Sequence, residues 1–334
     1  MKSIKIYKAS ELPKEWDALT GDNPYLKRKF LEFIEGTEHD YTPTYHLFYD
    51  DEGALDSIFL SHPRKGYNMT MFTKFVYRVN VTFIYLPMCV TRNCIVMGKL
   101  KNFVLDEIKA IKGYKMVLNL DNRDMPGFAT GYTCPKCILQ LNFNSFDDYF
   151  ASMRSDYRNR AKKIMAKSSA LTFKFIDNKT QFTDELYKQY LNVLNNSKMR
   201  IETLSKEYFE GEQFSIFVAY LQEKPVGFVQ LLPNGKELIF EFVGVDYKYN
   251  AEYAVYHRML YEIIRYGIDN GYESVDFGQT ADDIKLKLGS KYVYLYAALH
   301  HSNPIMNRIC DIVGKKIQYK PVTTPYRVFK GDEK

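Results

Sequence analysis

One pattern recurs in this chain and limits its folds more than any other. A long amphipathic helix is closed by Gly-Tyr-x-x-Val, and this happens twice. Residues 97–112 place Leu100, Phe103, Val104, Ile108 and Ile111 on one helical face, and Gly113-Tyr114-Lys115-Met116-Val117 follows. Residues 251–270 place Val255, Met259 and Ile263, with Leu260, Ile264 and Ile268, on a broad apolar face, and Gly271-Tyr272-Glu273-Ser274-Val275 follows. Glycine just past a helix suits the left-handed C′ position, and what comes after it suits a strand. The five-residue match is weak alone. Combined with the order of elements around it, it predicts two tandem copies of one fold.

That order is clearest in the second half. Residues 171–176 alternate as a strand, and 184–195 read as a helix with Leu186, Tyr190, Val193 and Leu194 on one side. Residues 214–221 and 226–232 form a hairpin around Gln222-Glu223-Lys224-Pro225, and 237–245 add a third strand. After the long helix come a strand at 272–277, a short helix near 281–288, a last strand at 292–299 and a last helix at 304–317. The first half repeats this less clearly. It has a strand at 4–9, helices at 13–19 and 24–35, a hairpin of 45–49 and 54–60, and a third strand within 79–90. The predicted class is α/β with mixed sheets, in two domains of residues 1–145 and 146–334, a size that 334 residues suit. No Gly- or Pro-rich linker joins them near 146–169, so firm packing with a cleft between domains is expected.

Composition narrows the function classes. No run of about 18 apolar residues exists, so no membrane span is predicted. The N-terminus, Met1-Lys2-Ser3-Ile4-Lys5-Ile6-Tyr7, has no apolar signal region and reads as a strand. Five cysteines (Cys89, Cys94, Cys134, Cys137, Cys310) without such a signal imply reduced thiols and a cytoplasmic location. Cys134-Pro135-Lys136-Cys137 has no second ligand pair at usable spacing and is followed by a strand, so neither zinc nor a thioredoxin-type site is expected. The net charge of +6 is compatible with an anionic ligand or a nucleic acid. No Ser-His-Asp arrangement or nucleophile elbow is present, so hydrolase chemistry is not expected.

Two segments resemble a known family. Phe146-Asp147-Asp148-Tyr149-Phe150, with Ser155-Asp156-Tyr157-Arg158-Asn159-Arg160-Ala161-Lys162-Lys163, looks like the basic helix that opens the second domain of FemAB-like proteins. Val275-Asp276-Phe277-Gly278-Gln279-Thr280, with Ile284-Lys285-Leu286-Lys287-Leu288-Gly289, looks like that group's Asp-Phe-Gly and Lys-x-x-x-Gly signature. His301-Ser302-Asn303 also fits. The group consists of tandem GNAT (acyl-CoA N-acyltransferase-like) domains and includes Fem-type peptidyltransferases. The resemblance implies an N-acyltransferase that passes an acyl or aminoacyl group, from acyl-CoA or aminoacyl-tRNA, to an amine held between the domains. The acceptor would be an amine-bearing small molecule, a peptide or a cell-wall precursor, and tRNA a candidate partner. The rival is a non-catalytic protein that binds a nucleotide-linked sugar or peptide. One departure bears on the donor. Where GNAT domains carry a glycine-rich pyrophosphate turn, this chain has Asp246-Tyr247-Lys248-Tyr249-Asn250-Ala251-Glu252. The absent glycines and the two acids favour aminoacyl-tRNA.

Candidate site residues follow. Glu237, Ile239, Glu241 and Val243 share a strand face if alternation holds. The resemblance to GNAT domains implies a carboxylate on this strand as general base, and Glu241, nearer the strand's cleft end, is the candidate. Asp276 and Gln279 flank a strand end, where α/β sheets bind ligands, and Thr280 follows. Lys285 could neutralise a phosphate or a developing oxyanion, with Lys287 beside it. Arg154, Arg158 and Lys162 would share a helical face suited to diphosphate or a tRNA backbone. The plainer alternatives remain open: a solvated carboxylate, a helix cap, surface lysines and a solvated basic helix.

Overall fold

The computed structural model describes every residue except 40, 72, 87, 89, 90, 198–202, 322–325, 333 and 334. Cys89 and the end of the expected third strand at 79–90 therefore lie outside the described residues. The early strands are β1 (Lys2–Ile6), β2 (Thr44–Tyr49), β3 (Leu55–Asn68), β4 (Arg78–Ile84), β5 (Ile95–Val96), β6 (Tyr114–Leu120) and β7 (Ala129–Tyr132). Those that follow are β8 (Lys136–Gln140), β9 (Leu171–Ile176), β10 (Ser215–Leu221), β11 (Lys224–Asn234), β12 (Glu237–Val245), β13 (Ser274–Asp276), β14 (Lys291–Val293) and β15 (Tyr296–His301).

They form two mixed sheets of one design. The first runs β1-β2-β3-β4-β6-β15-β7, with β5 on β3; the second runs β14-β8-β13-β12-β11-β10-β9. Each has a three-strand antiparallel meander, β2-β3-β4 or β10-β11-β12. Each then crosses over through the long helix to a strand parallel with the third, β6 on β4 or β13 on β12. Gly113 and Gly271, at φ 82° and 71°, precede those crossover strands in the left-handed region that the repeated motif required. Two α/β units of GNAT-like topology are thus present.

Their boundary differs from the single cut expected between residues 145 and 146. One unit is Met1–Pro135 with Tyr294–Pro321, and the other is Lys136–Val293 with Val322–Lys334. The strand beside β6 is β15, from the far end of the chain, and the strand beside β13 is β8, from before the cut. Local periodicity cannot show this, because β8 and β15 read as strands whichever sheet receives them. The expected strand at 292–299 is for the same reason two strands: β14 pairs with β8, and β15 pairs with β6 and β7.

The second unit's core lies between its sheet and the helix Val255–Asp269. Val255, Met259, Leu260, Ile263 and Ile264 pack there with Val229, Leu231, Leu238, Phe240, Val275 and Phe277. Burial of this kind stabilises by roughly 25 cal/mol per Å² of apolar surface. The opposite face of the sheet is covered by the helix Asp184–Asn196 and by Lys206–Phe209, whose Tyr190, Tyr208 and Phe209 rings meet Phe242.

Candidate active site

The parallel ladder between β12 and β13 is short. Its last pair is Ile239 with Asp276. Beyond it the chain after β13 stays with β8: Phe277 N–H donates to Cys137 O at 2.8 Å, and Cys137 N–H donates to Gly278 O at 3.1 Å. β12 meanwhile continues to Val245 alongside β11. Two strands that begin side by side therefore part, and the parting exposes one edge of β12 from residue 240 onward.

A β-bulge sits at the same place. On β11, Gln230 stands opposite Phe242, and Leu231 opposite Phe240, so Glu241 is the extra residue. The bulge reverses the alternation expected of this strand. Leu238 and Phe240 lie in the core under the helix Val255–Asp269, yet so does Val243, which strict alternation would place on the other face. Glu241 does not share a face with Val243. It stands beside Phe242, opposite Gln230, and is 6% exposed. Gln230 is fully buried, and neither atom of its amide has a hydrogen-bond partner among the described residues. A buried unpaired amide costs about 1–3 kcal/mol, which sets Gln230 apart from the other residues of β11. Nothing in the sequence around Gln230 distinguished it; its signal is burial across from a bulge.

Asp276 is fully buried, and its carboxylate is already engaged. Oδ1 accepts from Gly278 N–H at 2.8 Å, and Oδ2 lies 3.8 Å from the Lys136 ammonium, itself buried. It shapes the turn after β13 and pairs with a residue 140 positions away, within the Cys-x-x-Cys segment. Lys285 is 3% exposed, not a surface lysine; its Nζ donates to Gln279 O at 2.8 Å and lies 6.0 Å from the Phe240 ring centroid. Lys136, Asp276, Asp282 and Lys285 thus form a buried charged cluster around Cys137, whose thiol burial pushes up to about 12. Cys134 and Cys137 are buried and not joined in a disulfide, and among the described residues no group of His, Cys, Asp and Glu is arranged to hold a metal ion. Thr280 and Ala281 follow Gln279 at φ 64° and 52°. A β-branched residue in the left-handed region is strained by roughly 1–2 kcal/mol.

The other predicted residues make contacts within the chain. Arg154 precedes the helix Ser155–Lys167 rather than lying in it, so it does not share a helical face with Arg158. Its guanidinium donates to Phe329 O and Asp332 O at 3.0 and 3.1 Å, fastening the C-terminal segment. Arg158 Nη1 donates to Met153 O at 2.9 Å, at the end of the preceding helix Phe146–Ser152. Lys287 Nζ pairs with Asp283 at 2.6 Å, and Asp283 also accepts from the Tyr326 hydroxyl. Gly289, the glycine of the Lys-x-x-x-Gly motif, sits at φ 95° with its Cα against the Phe329 ring, where a Cβ would come within 2.3 Å. His257 lies partly buried on the long helix, and burial lowers its pKa.

Residues 246–252, expected as a turn running into a helix that starts at about 251, instead contain most of a separate helix, Tyr247–Tyr253. The Asp246 carboxylate caps it by accepting from Lys248 N–H. Ala254, at φ 49°, then breaks the chain, and the helix Val255–Asp269 begins. The Asn250 side chain accepts from Tyr256 N–H at 2.9 Å, at the first turn of that helix.

Comparison with known proteins agrees with this fold. Residues 151–286 match the family model described as Acetyltransferase (GNAT) domain. Among solved structures, FemX superposes with a TM-score of 0.55 at 13% identity, covering 89% of this chain and 97% of its own. L-PGS from Bacillus licheniformis gives 0.55 at 13%, covering 93% and 98%. A tandem GNAT protein from the clavulanic acid biosynthesis pathway gives 0.52 at 7%, covering 91% and 99%. No curated protein sequence matches the chain.

Proposed function

We propose, from the premise that residues 151–286 form a domain of the GNAT acetyltransferase family, that the chain is an N-acyltransferase taking an aminoacyl ester of the aminoacyl-tRNA kind. The observation that carries the reading is the parting of β12 from β13 with Glu241 and Gln230 buried at the bulge beside it. Glu241 acts as general base and takes the proton of the acceptor amine. The amine attacks the donor carbonyl, the C–N bond forms, the ester C–O bond breaks, and the proton passes to the leaving ribose oxygen. Backbone N–H groups on the freed edge of β12 are suited to the oxyanion. Asp276 and Lys285 keep the surrounding turn in shape. The acceptor belongs to the amine-bearing class that includes peptides and cell-wall precursors.

CoA is disfavoured as donor on physical grounds. Its pyrophosphate would need the backbone N–H groups near residues 246–256. Two of these are taken by the Asp246 and Asn250 side chains, and the Asp246 carboxylate repels phosphate. Calorimetric titration should show no low-micromolar binding of acetyl-CoA. Total tRNA charged with labelled amino acids should be retained by the protein on a filter and discharged by a lysine-bearing peptide. Glu241→Gln should slow that discharge by about 10²–10⁴-fold while retention persists. Tight acetyl-CoA binding would replace the donor assignment. Retention without discharge by the unsubstituted protein would favour a non-catalytic binder.

A further inference from the structure

Thirteen large apolar side chains stand exposed among the described residues, and seven of them lie on two features of the first unit. Phe75, Val76 and Tyr77, exposed by 80%, 68% and 49%, form the tip of the hairpin between β3 and β4. Ile305, Ile309, Ile312 and Val313 line the outer face of the helix Pro304–Ile317, at positions i, i+4, i+7 and i+8. The inner side of that helix is satisfied: Cys310 packs with Met69, Val81, Phe83 and Leu299. The two features are joined. The Tyr77 and Tyr114 hydroxyls lie 3.4 Å apart, the Tyr114 ring meets His301 at 4.4 Å, and His301 N–H donates to Asn307 on the helix.

The charge beside this apolar surface is mostly positive. Lys65, Lys74 and Arg78 are exposed on the hairpin, and Arg308 and Lys316 on the helix; Asp311 is the acid among them. From residue 57 to 105 the sequence contains no Asp or Glu at all, against seven Lys and Arg. A projecting hairpin tip of aromatic and β-branched residues, ringed by cations, has the form of a surface that enters a lipid interface, where no partner pocket is required.

We propose that the first unit docks on an anionic lipid surface through the hairpin tip and the outer face of this helix. The side chains of Phe75, Val76 and Ile305 enter the headgroup–acyl boundary, and the flanking lysines and arginines meet anionic headgroups. This inference does not depend on the donor or acceptor proposed for the second unit.

Co-sedimentation of the full chain with vesicles tests it. The protein should pellet with an equal mixture of phosphatidylcholine and phosphatidylglycerol, stay in solution with phosphatidylcholine alone, and be released by high salt. The double substitution Phe75→Ser, Val76→Ser should weaken partitioning on the order of a hundredfold, and Lys74→Glu with Arg78→Glu by about tenfold or more. Phe75→Trp gives a reading that does not depend on loss of binding: its fluorescence should shift to the blue with mixed vesicles and be quenched by brominated lipid, whereas the buried Trp16 should not respond. Absence of pelleting with mixed vesicles would overturn the proposal, as would pelleting unchanged in folded variants. A concentration-dependent dimer abolished by the same substitutions would also overturn it, because a second copy would then cover this face.

Discussion

Removing the Asp276 carboxylate decides whether that residue is scaffold or chemistry. In Asp276→Ala, Gly278 N–H loses its acceptor and the buried Lys136 ammonium loses its counter-charge. At 3.8 Å and an effective dielectric near 20, that attraction is about 4 kcal/mol before desolvation. Breaking one side of a buried pair costs about 3–5 kcal/mol because the other charge remains. Lys136 is long enough to swing towards water, so the lower end, about 3 kcal/mol, is expected. In a unit of this size each kcal/mol shifts the melting temperature by roughly 2–4 °C, giving a fall of roughly 6–12 °C. Asp276→Asn keeps an acceptor for Gly278 and should lose less. Adding Lys136→Met to Asp276→Asn removes the orphaned charge and should restore most of the difference, a positive coupling in a double-mutant cycle. Scanning calorimetry on the unsubstituted protein, Asp276→Ala, Asp276→Asn, Lys136→Met and the double variant provides the measurement, followed through the transition of the second unit. If Asp276→Ala leaves melting unchanged but abolishes amine-dependent discharge of aminoacyl-tRNA, the scaffold reasoning is refuted and Asp276 belongs to the chemistry.

Three further outcomes are expected. Thr280→Gly should relieve left-handed strain and raise melting by roughly 2–4 °C; a fall would mean that the threonine side chain makes compensating contacts. Arg154→Ala should lower melting by freeing the carbonyls of Phe329 and Asp332 while leaving tRNA retention unchanged, and a selective loss of retention would contradict its placement. In the first unit, burial lowers His46 to about 3 and His300 to about 4. The unfolded chain thus binds protons first, and stability is complete above about pH 6.5 and lost as pH falls towards 4. His46→Phe should flatten that acid limb in urea titrations at successive pH values, and an unchanged limb would remove His46 as its cause.

The sequence by itself determined the elements and their repetition. Glycine at the helix ends, six-residue alternation and the apolar face of residues 255–268 are local signals, and each element follows from a few neighbouring residues. It also pointed to Glu241, through the family resemblance and its place towards the end of the strand. Tertiary structure decided what that strand does. Whether Glu241 shares a face with Val243 depends on a bulge set by pairing with β11, and strict alternation has no means of foreseeing the extra residue. Gln230 became notable only once buried, and Asp276 acquired its partner from Lys136, 140 residues earlier. Arg154, an unremarkable member of a basic run, proved to hold a C-terminal segment 175 or more residues away. The exchange of β8 and β15 has the same origin. Any strand with open N–H and C=O groups fits any compatible edge, so chain order leaves the partner open and only long-range packing selects it.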